Sequence, residues 1–164
     1  PAIATLFGFC LGGGLELPLA CHFRLAADRG AQMGLPEMDL GSVPAWGGSA
    51  RLPRAVGRTH ALDMILRGLK IDGEHAYRIG LVSELVPMEE LKARAQALGE
   101  EIAAQPRQAV RSMLDVLVGF ETKTLAESLA DEGAAVAASR GSANALEGMQ
   151  AFMEKRKPVF NQDL

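Results

Sequence analysis

The stretch GFCLGGGLEL, residues 8–17, places three consecutive glycines, Gly12 to Gly14, two residues ahead of a carboxylate, Glu16, that stands between leucines. Glycines at a strand-to-helix junction let the backbone approach a ligand, and the unpaired N–H groups of a first helical turn carry partial positive charge. Such a donor can stabilise an oxyanion, for instance the enolate oxygen developing on a thioester carbonyl, with Glu16 beside the same pocket. The plainer reading is that the glycines permit tight helix-to-strand packing and Glu16 is a favourable first-turn acid. A second acid, Glu37, lies in the mostly apolar loop MGLPEMDLGSVPAWGG, and loops at strand ends of α/β sheets are where sites are usually assembled. Asp39 is its rival: in an extended segment the two carboxylates share a side, and neither spacing nor composition separates them.

Other chemistries fit less well. A phosphate loop of the GxxxxGK type fails because Gly14 stands where lysine is required after Gly13, and the dinucleotide pattern GxGxxG begun at Gly12 fails at Leu17. Cys10 and Cys21 form neither a CxxC pair nor a ligand set with histidine, so no metal site and no disulfide framework is signalled. Two reduced thiols in a cytosol-like, cytoplasmic compartment is the expectation.

The elements that must position these residues follow from patterning. Residues 2–7 read as a buried strand, LELPLACHF as a short helix that tolerates Pro18 only in its first turn, and FRLAAD as a second strand, with a weak third at 32–34. Strand, glycine turn, helix and strand together make a βαβ signature. Further on, THALDMILRG reads as a helix capped by Thr59 and closed by Gly68, Asp72 caps GEHAYRIG, and LVSELV offers another strand. Beyond Pro87 the spacing of Leu91, Ala95, Leu98 and Ile102, and then of Val110, Met113, Leu114 and Leu117, predicts helices. Pro106 suits a first helical turn, and two more helices fall near 122–139 and from about 142 to before Pro158. The division is an α/β front, 1–87, and an all-helical back, 88–164.

Composition narrows the partners. With 164 residues, 17 basic against 20 acidic side chains and a net charge of −3, one domain with a real core is expected. Nothing in the charge pattern asks for nucleic acid or an anionic membrane, and the apolar run near the start is too short and too interrupted to span a bilayer. No signal peptide is visible, and the abrupt opening PAIATLF reads as a strand already under way, so an upstream segment is expected.

Five segments in order, GFCLGGGLELPLAC, FRLAAD, GLPEMDLGSVPAWGGSARLPRAVG, the stretch from IDGEHAYRIGLV to VP, and EGMQAFMEKRKPVF, resemble the enoyl-CoA hydratase/isomerase, or crotonase, superfamily. The resemblance implies a crotonase-like ββα spiral core, here partial, and a C-terminal helical region for trimerisation, commonly as a dimer of trimers. It implies acyl-CoA thioester substrates, with coenzyme A part of the substrate and no metal or other cofactor. The glutamate beyond the glycine run is Glu16, that of the G-x-P-E element is Glu37, and the oxyanion amide is that of Gly13. The implied reaction is hydration of a 2,3-double bond, Glu16 acting as principal base and Glu37 delivering a proton to the α-carbon. A double-bond isomerase of the same superfamily is the alternative, and a non-catalytic oligomerising fragment a third reading. A second oxyanion amide and much of the adenine-nucleotide pocket are implied to lie upstream of residue 1.

Several positions depart from the family pattern or admit a plain reading. Pro44-Ala45-Trp46-Gly47-Gly48 stands where many members carry P-G-A-G-G, so Trp46, with Leu35 and Pro44, is assigned to substrate contact; the alternative is that Trp46 covers core surface. His22, where the family often has Asp, is expected to sit at a helix C-terminus and favour its dipole. His60 and His75 are expected as surface or capping residues. Lys155-Arg156-Lys157 is expected to be solvated or to approach CoA phosphates.

Overall fold

Parallel strands need a crossover between them, and the beginning of this chain supplies one for each of two ladders. The computed structural model describes residues 1–119 and 122–162. Strand β1 (Ile3–Leu6) pairs in parallel with β3 (Phe23–Ala27), Ile3 opposite Phe23, and β5 (Glu84–Val86) pairs with β3 on its other side, Leu25 opposite Glu84. Strand β2 (Phe9–Leu11) pairs in parallel with β4 (Gln32–Gly34), Cys10 opposite Met33. The second ladder adds to the βαβ expectation. Gly8, at φ 60°, turns the chain out of β1, so what reads as one apolar run is two strands in different sheets.

Helix α1 (Gly13–Leu19) lies between β2 and β3. Its N-cap, Gly12, has φ 55° and ψ −126°, a conformation open to glycine and costly for other residues. Pro18 is near the end of α1, not in its first turn as expected. The cost is small because a helix this short loses one backbone bond to the missing N–H and ends at the next residue. Leu6, Leu15, Leu25, Met33, Leu52 and Leu81 are fully buried and form the core of the front of the chain.

Helix α2 (Gly48–Leu66) is kinked at Gly57, whose φ 78° and ψ 160° interrupt the backbone ladder. The break lies two residues ahead of Thr59, which is therefore inside the second half of the helix and is not its cap. Asp72 does cap α3 (Gly73–Arg78), its Oδ1 accepting from the His75 amide at 2.8 Å. Residues Pro1–Ala97 form one compact unit, and a second begins at Leu98. The strands and α1 to α3 all belong to the first.

Helices α4 (Leu91–Ala103), α5 (Arg107–Gly119), α6 (Leu125–Ser139) and α7 (Ala143–Met153) follow. Residues 120, 121, 163 and 164 of the expected helical region 88–164 lie outside the described residues. Pro106 immediately precedes α5, and its carbonyl accepts the Val110 amide at 2.9 Å. Thr124 and Glu127 close a capping box at the start of α6, and Ser142 caps α7. In the second unit Asn161, at φ 61°, takes the Arg107 amide on Oδ1 at 3.0 Å and gives Nδ2 to the Gln105 carbonyl at 2.9 Å. Its own amide donates to Asn144 Oδ1 at 2.8 Å, so one side chain near the C-terminus joins the α4–α5 connection to α7. Among the described residues no helix is long and apolar enough to cross a membrane.

Candidate active site

Glu16, on α1, is 3 % exposed. Its Oε1 accepts the backbone amides of Trp46 and Gly48, each at 2.8 Å. Gly48 is the first residue of α2, so the acid occupies the N-terminus of that helix, where amides lack intrahelical acceptors and the dipole favours negative charge. Two charge-assisted hydrogen bonds offset the cost of enclosing the carboxylate. Gly47, the cap at φ 93°, lets the turn present both amides to one oxygen. Gly48 also leaves the acid its space: a Cβ there would stand 2.9 Å from Glu16 Cγ and Oε1 and 2.8 Å from Leu35 Cδ1.

Glu37, in the 3₁₀ helix Glu37–Leu40, reaches the glycine run that leads into α1. Its Oε1 would lie 3.1 Å from a Cβ on Gly12, and its Oε2 is buried without a hydrogen-bond partner, the one such side-chain atom among the described residues. A buried acceptor left free is what proton exchange with a bound molecule requires. The Gly12 amide donates to the Gly34 carbonyl at 3.0 Å, tying the glycines to the strand that leads into the Glu37 loop.

The structure separates Glu37 from its rival. Residues two apart share a side in an extended segment, but 3.0 residues per turn in a 3₁₀ helix put them about two-thirds of a turn apart. Asp39 accordingly points elsewhere, its Oδ2 3.3 Å from Lys70 Nζ and its carboxylate over Gly68.

Gly13 opens α1, so its N–H has no acceptor within the helix. The Trp46 indole lies against it: a Cβ on Gly13 would meet Cζ3 at 2.6 Å and Cε3 at 2.9 Å. Trp46 remains 74 % exposed, so it does not serve chiefly to cover core. Leu35 and Pro44 are both buried, Leu35 completely, and a Cβ on Gly48 would stand 2.8 Å from Leu35 Cδ1.

Other expectations also change. His22 lies beyond the end of α1, and its Nδ1 accepts the Ala2 amide at 2.9 Å, fastening the start of β1 instead of the helix terminus. His60 and His75 are half-buried and meet edge to face at 6.2 Å. The charge run Lys155-Arg156-Lys157 is exposed, as expected, but Arg156 is also paired: it donates to both oxygens of Glu147 at 2.6 and 2.9 Å and to Glu154 at 2.6 Å. Cys10 and Cys21 are free thiols, and burial raises the pKa of Cys10 against the lowering effect of its bond to the Phe7 carbonyl. Sequence reasoning passed over the amides of Trp46 and Gly48; the paired glycines ahead of a helix, in the same loop as an acid, are the signal that could have found them.

The family model described as Enoyl-CoA hydratase/isomerase matches residues 1–163. The chain is similar to a Bacillus subtilis protein named "Probable enoyl-CoA hydratase", 43% identical over 161 residues, which are 98% of this chain and 62% of that protein. It is 42% identical over 165 residues to the human enoyl-CoA hydratase domain-containing protein 2, mitochondrial, covering 98% of this chain and 56% of that one. Its fold matches the crystal structure of an enoyl-CoA hydratase from Bacillus anthracis with a TM-score of 0.92 and 39% identity, covering 98% of this chain and 62% of that one. The chain thus spans less than two thirds of the length of each of these relatives.

Proposed function

This chain belongs to the enoyl-CoA hydratase/isomerase family, and from that premise we propose that the full-length protein adds water across the 2,3-double bond of an enoyl-CoA thioester. Glu16 takes a proton from the attacking water as its oxygen bonds to C3. The electron pair of the double bond moves towards the thioester, and the enolate oxygen accepts a hydrogen bond from the Gly13 N–H. Glu37 gives a proton to C2, and the proton taken by Glu16 returns to Glu37, so that water supplies both the hydroxyl on C3 and the hydrogen on C2 and the pair is restored. Coenzyme A enters as part of the substrate, and the reading calls for no further cofactor. A second oxyanion amide comes, on this reading, from a segment upstream of residue 1.

The observation that carries the proposal is that Glu37, from a different element, reaches Gly12 at the start of α1, the helix that carries Glu16. Glu16 is fixed by two amides, while Glu37 keeps a buried oxygen unpaired. Removing one oxyanion donor typically costs ~10² to 10³ in rate, and removing a general acid or base ~10² to 10⁴. The test is an assay of the full-length protein with crotonyl-CoA beside Glu16→Gln and Glu37→Gln. Loss of hydration by about those factors is expected, and hydration unaffected by either change overturns the proposal. A shift of the double bond without water uptake assigns the isomerase reaction instead.

The protein is further proposed to assemble as a homotrimer or a dimer of trimers. Leu125, Leu129 and Val136 on α6, and Leu146, Met149 and Phe152 on α7, are each more than half exposed, which leaves long apolar helix surfaces for partner subunits. Sedimentation of the full-length protein tests this, and a monomer at micromolar concentration overturns it.

A further inference from the structure

Trp46, the chain's sole tryptophan, is held by its backbone at two points and is still 74 % exposed. Its amide donates to Glu16 Oε1. Its carbonyl accepts Arg51 Nη1 at 2.9 Å, and the Arg51 amide in turn donates to the Gly47 carbonyl at 2.9 Å. The peptide on either side of the indole is therefore gripped by a buried acid and by the first turn of α2. From that anchor the ring reaches back to rest on Gly13.

We propose that Trp46 sets the length of the acyl group: its indole walls the site at Gly13, so that short 2-enoyl thioesters are accepted and long ones rejected, with Arg51 as the positioning residue. The inference rests on the thioester reading given above. If the thioester oxygen meets the Gly13 amide and C3 lies at Glu16, the carbons beyond C3 emerge beside the residue whose amide Glu16 holds. A small side chain at position 46 would leave that volume open; the indole fills it. Pocket walls are apolar and aromatic, and a tryptophan three-quarters exposed, held by the buried Glu16 and lying against Gly13, is surface that a ligand can cover. Rejection of an extra methylene by a filled apolar pocket is worth roughly 10- to 200-fold in kcat/KM.

The experiment compares crotonyl-CoA with 2-decenoyl-CoA in the full-length protein and its Trp46→Ala, Trp46→Phe and Arg51→Gln variants. Trp46→Ala is expected to raise the decenoyl-to-crotonyl ratio of kcat/KM by roughly tenfold or more, and Trp46→Phe by less. Arg51→Gln shifts the ratio in the same direction, and the double variant with Trp46→Ala goes no further than Trp46→Ala alone, because both act through one ring. A merely structural role for Arg51 lowers stability and leaves the ratio where it was. Calorimetric binding of butanoyl-CoA and decanoyl-CoA, which needs no turnover, separates this proposal from the hydration reading. If no enoyl-CoA is hydrated but Trp46→Ala still favours decanoyl-CoA, the hydration reading fails and the length gauge stands. If crotonyl-CoA is hydrated and Trp46→Ala leaves both ratios within about twofold of wild type, the length gauge is overturned by itself.

Discussion

The Trp46 amide and Glu16 Oε1 are 2.8 Å apart, and the Gly48 amide meets the same oxygen at the same distance. An acid carried by α1 is thus fastened to the first turn of α2. Its orientation depends on the turn that joins the Glu37 segment to that helix, and both carboxylates belong to one covalently short assembly.

Replacing Glu16 separates the contribution of its charge from that of its acceptor. Glu16→Gln retains an oxygen for both amides, whereas Glu16→Ala strands two donors, each costing ~1 to 3 kcal/mol where water cannot reach. Chemical denaturation is expected to show Glu16→Ala less stable than Glu16→Gln by about 2 kcal/mol or more. Equal stability of the two would remove the amides from the account.

Adding a methyl group at Gly48 and at Gly13 is expected to have contrasting results. At Gly48 the methyl meets Glu16 and Leu35, both buried and unable to yield, so Gly48→Ala is expected to cost ~1 to 3 kcal/mol and to lower turnover about 10²-fold by displacing the acid. At Gly13 it meets an indole that is mostly in solvent, outside the packed core, so Gly13→Ala is expected to cost less stability than Gly48→Ala. Melting temperatures and rates of the two variants check this, and a larger stability loss at Gly13 contradicts it.

Much of this arrangement was legible before the structure. The crossover between β1 and β3, the Asp72 cap and the helical back are visible because local patterning and local side-chain chemistry decide them. The family resemblance, not spacing, distinguished Glu37 from Asp39. The physical reason, a 3₁₀ turn in place of an extended segment, has no clear signature in GLPEMDLG. The burial of Leu35, the separate ladder at β2 and the ring on Gly13 depend on contacts between elements far apart in sequence, which periodicity within one element does not report.

The second unit carries an acid-sensitive pair. Arg156 and the Val159 amide hold Glu147 at a pKa of about 2, against an unfolded value of about 4.3. A carboxylate depressed on folding stabilises the fold above its unfolded pKa, and that contribution disappears as pH falls through the folded value. The gap in melting temperature between wild type and Glu147→Gln is expected to be constant above about pH 5 and to close between about pH 4.3 and pH 2. A gap independent of pH over that range disproves the assignment.

Asn161 makes a compact test of the C-terminal connection. Asn161→Ala removes the acceptor of the Arg107 amide and the donor to Gln105, and is expected to destabilise the second unit by ~1 to 2 kcal/mol. Amide exchange should quicken at the start of α5. Unchanged protection of the Arg107 amide would refute the capping role.

Cys10 and Cys21 should differ in reactivity. Cys10 is buried with its thiol pKa raised, while Cys21 is only partly enclosed, so a thiol reagent near pH 8 is expected to label Cys21 first. Mass mapping after brief labelling checks the order, and faster labelling of Cys10 is the contrary result.

The strand order β1-β3-β5 also imposes a schedule on biosynthesis. Strand β3 can meet β1 soon after both are made, but its other neighbour, Glu84–Val86, is encoded much later, and the sheet stays open on that side until Val86 has left the ribosome. During that interval Leu25, Ala26 and Ala27, all fully enclosed in the finished fold, belong to an unpaired edge. Translation between β3 and β5 is therefore the period in which a nascent copy is most open to capture by another chain, and in which slow codons or a chaperone would have the greatest effect on yield.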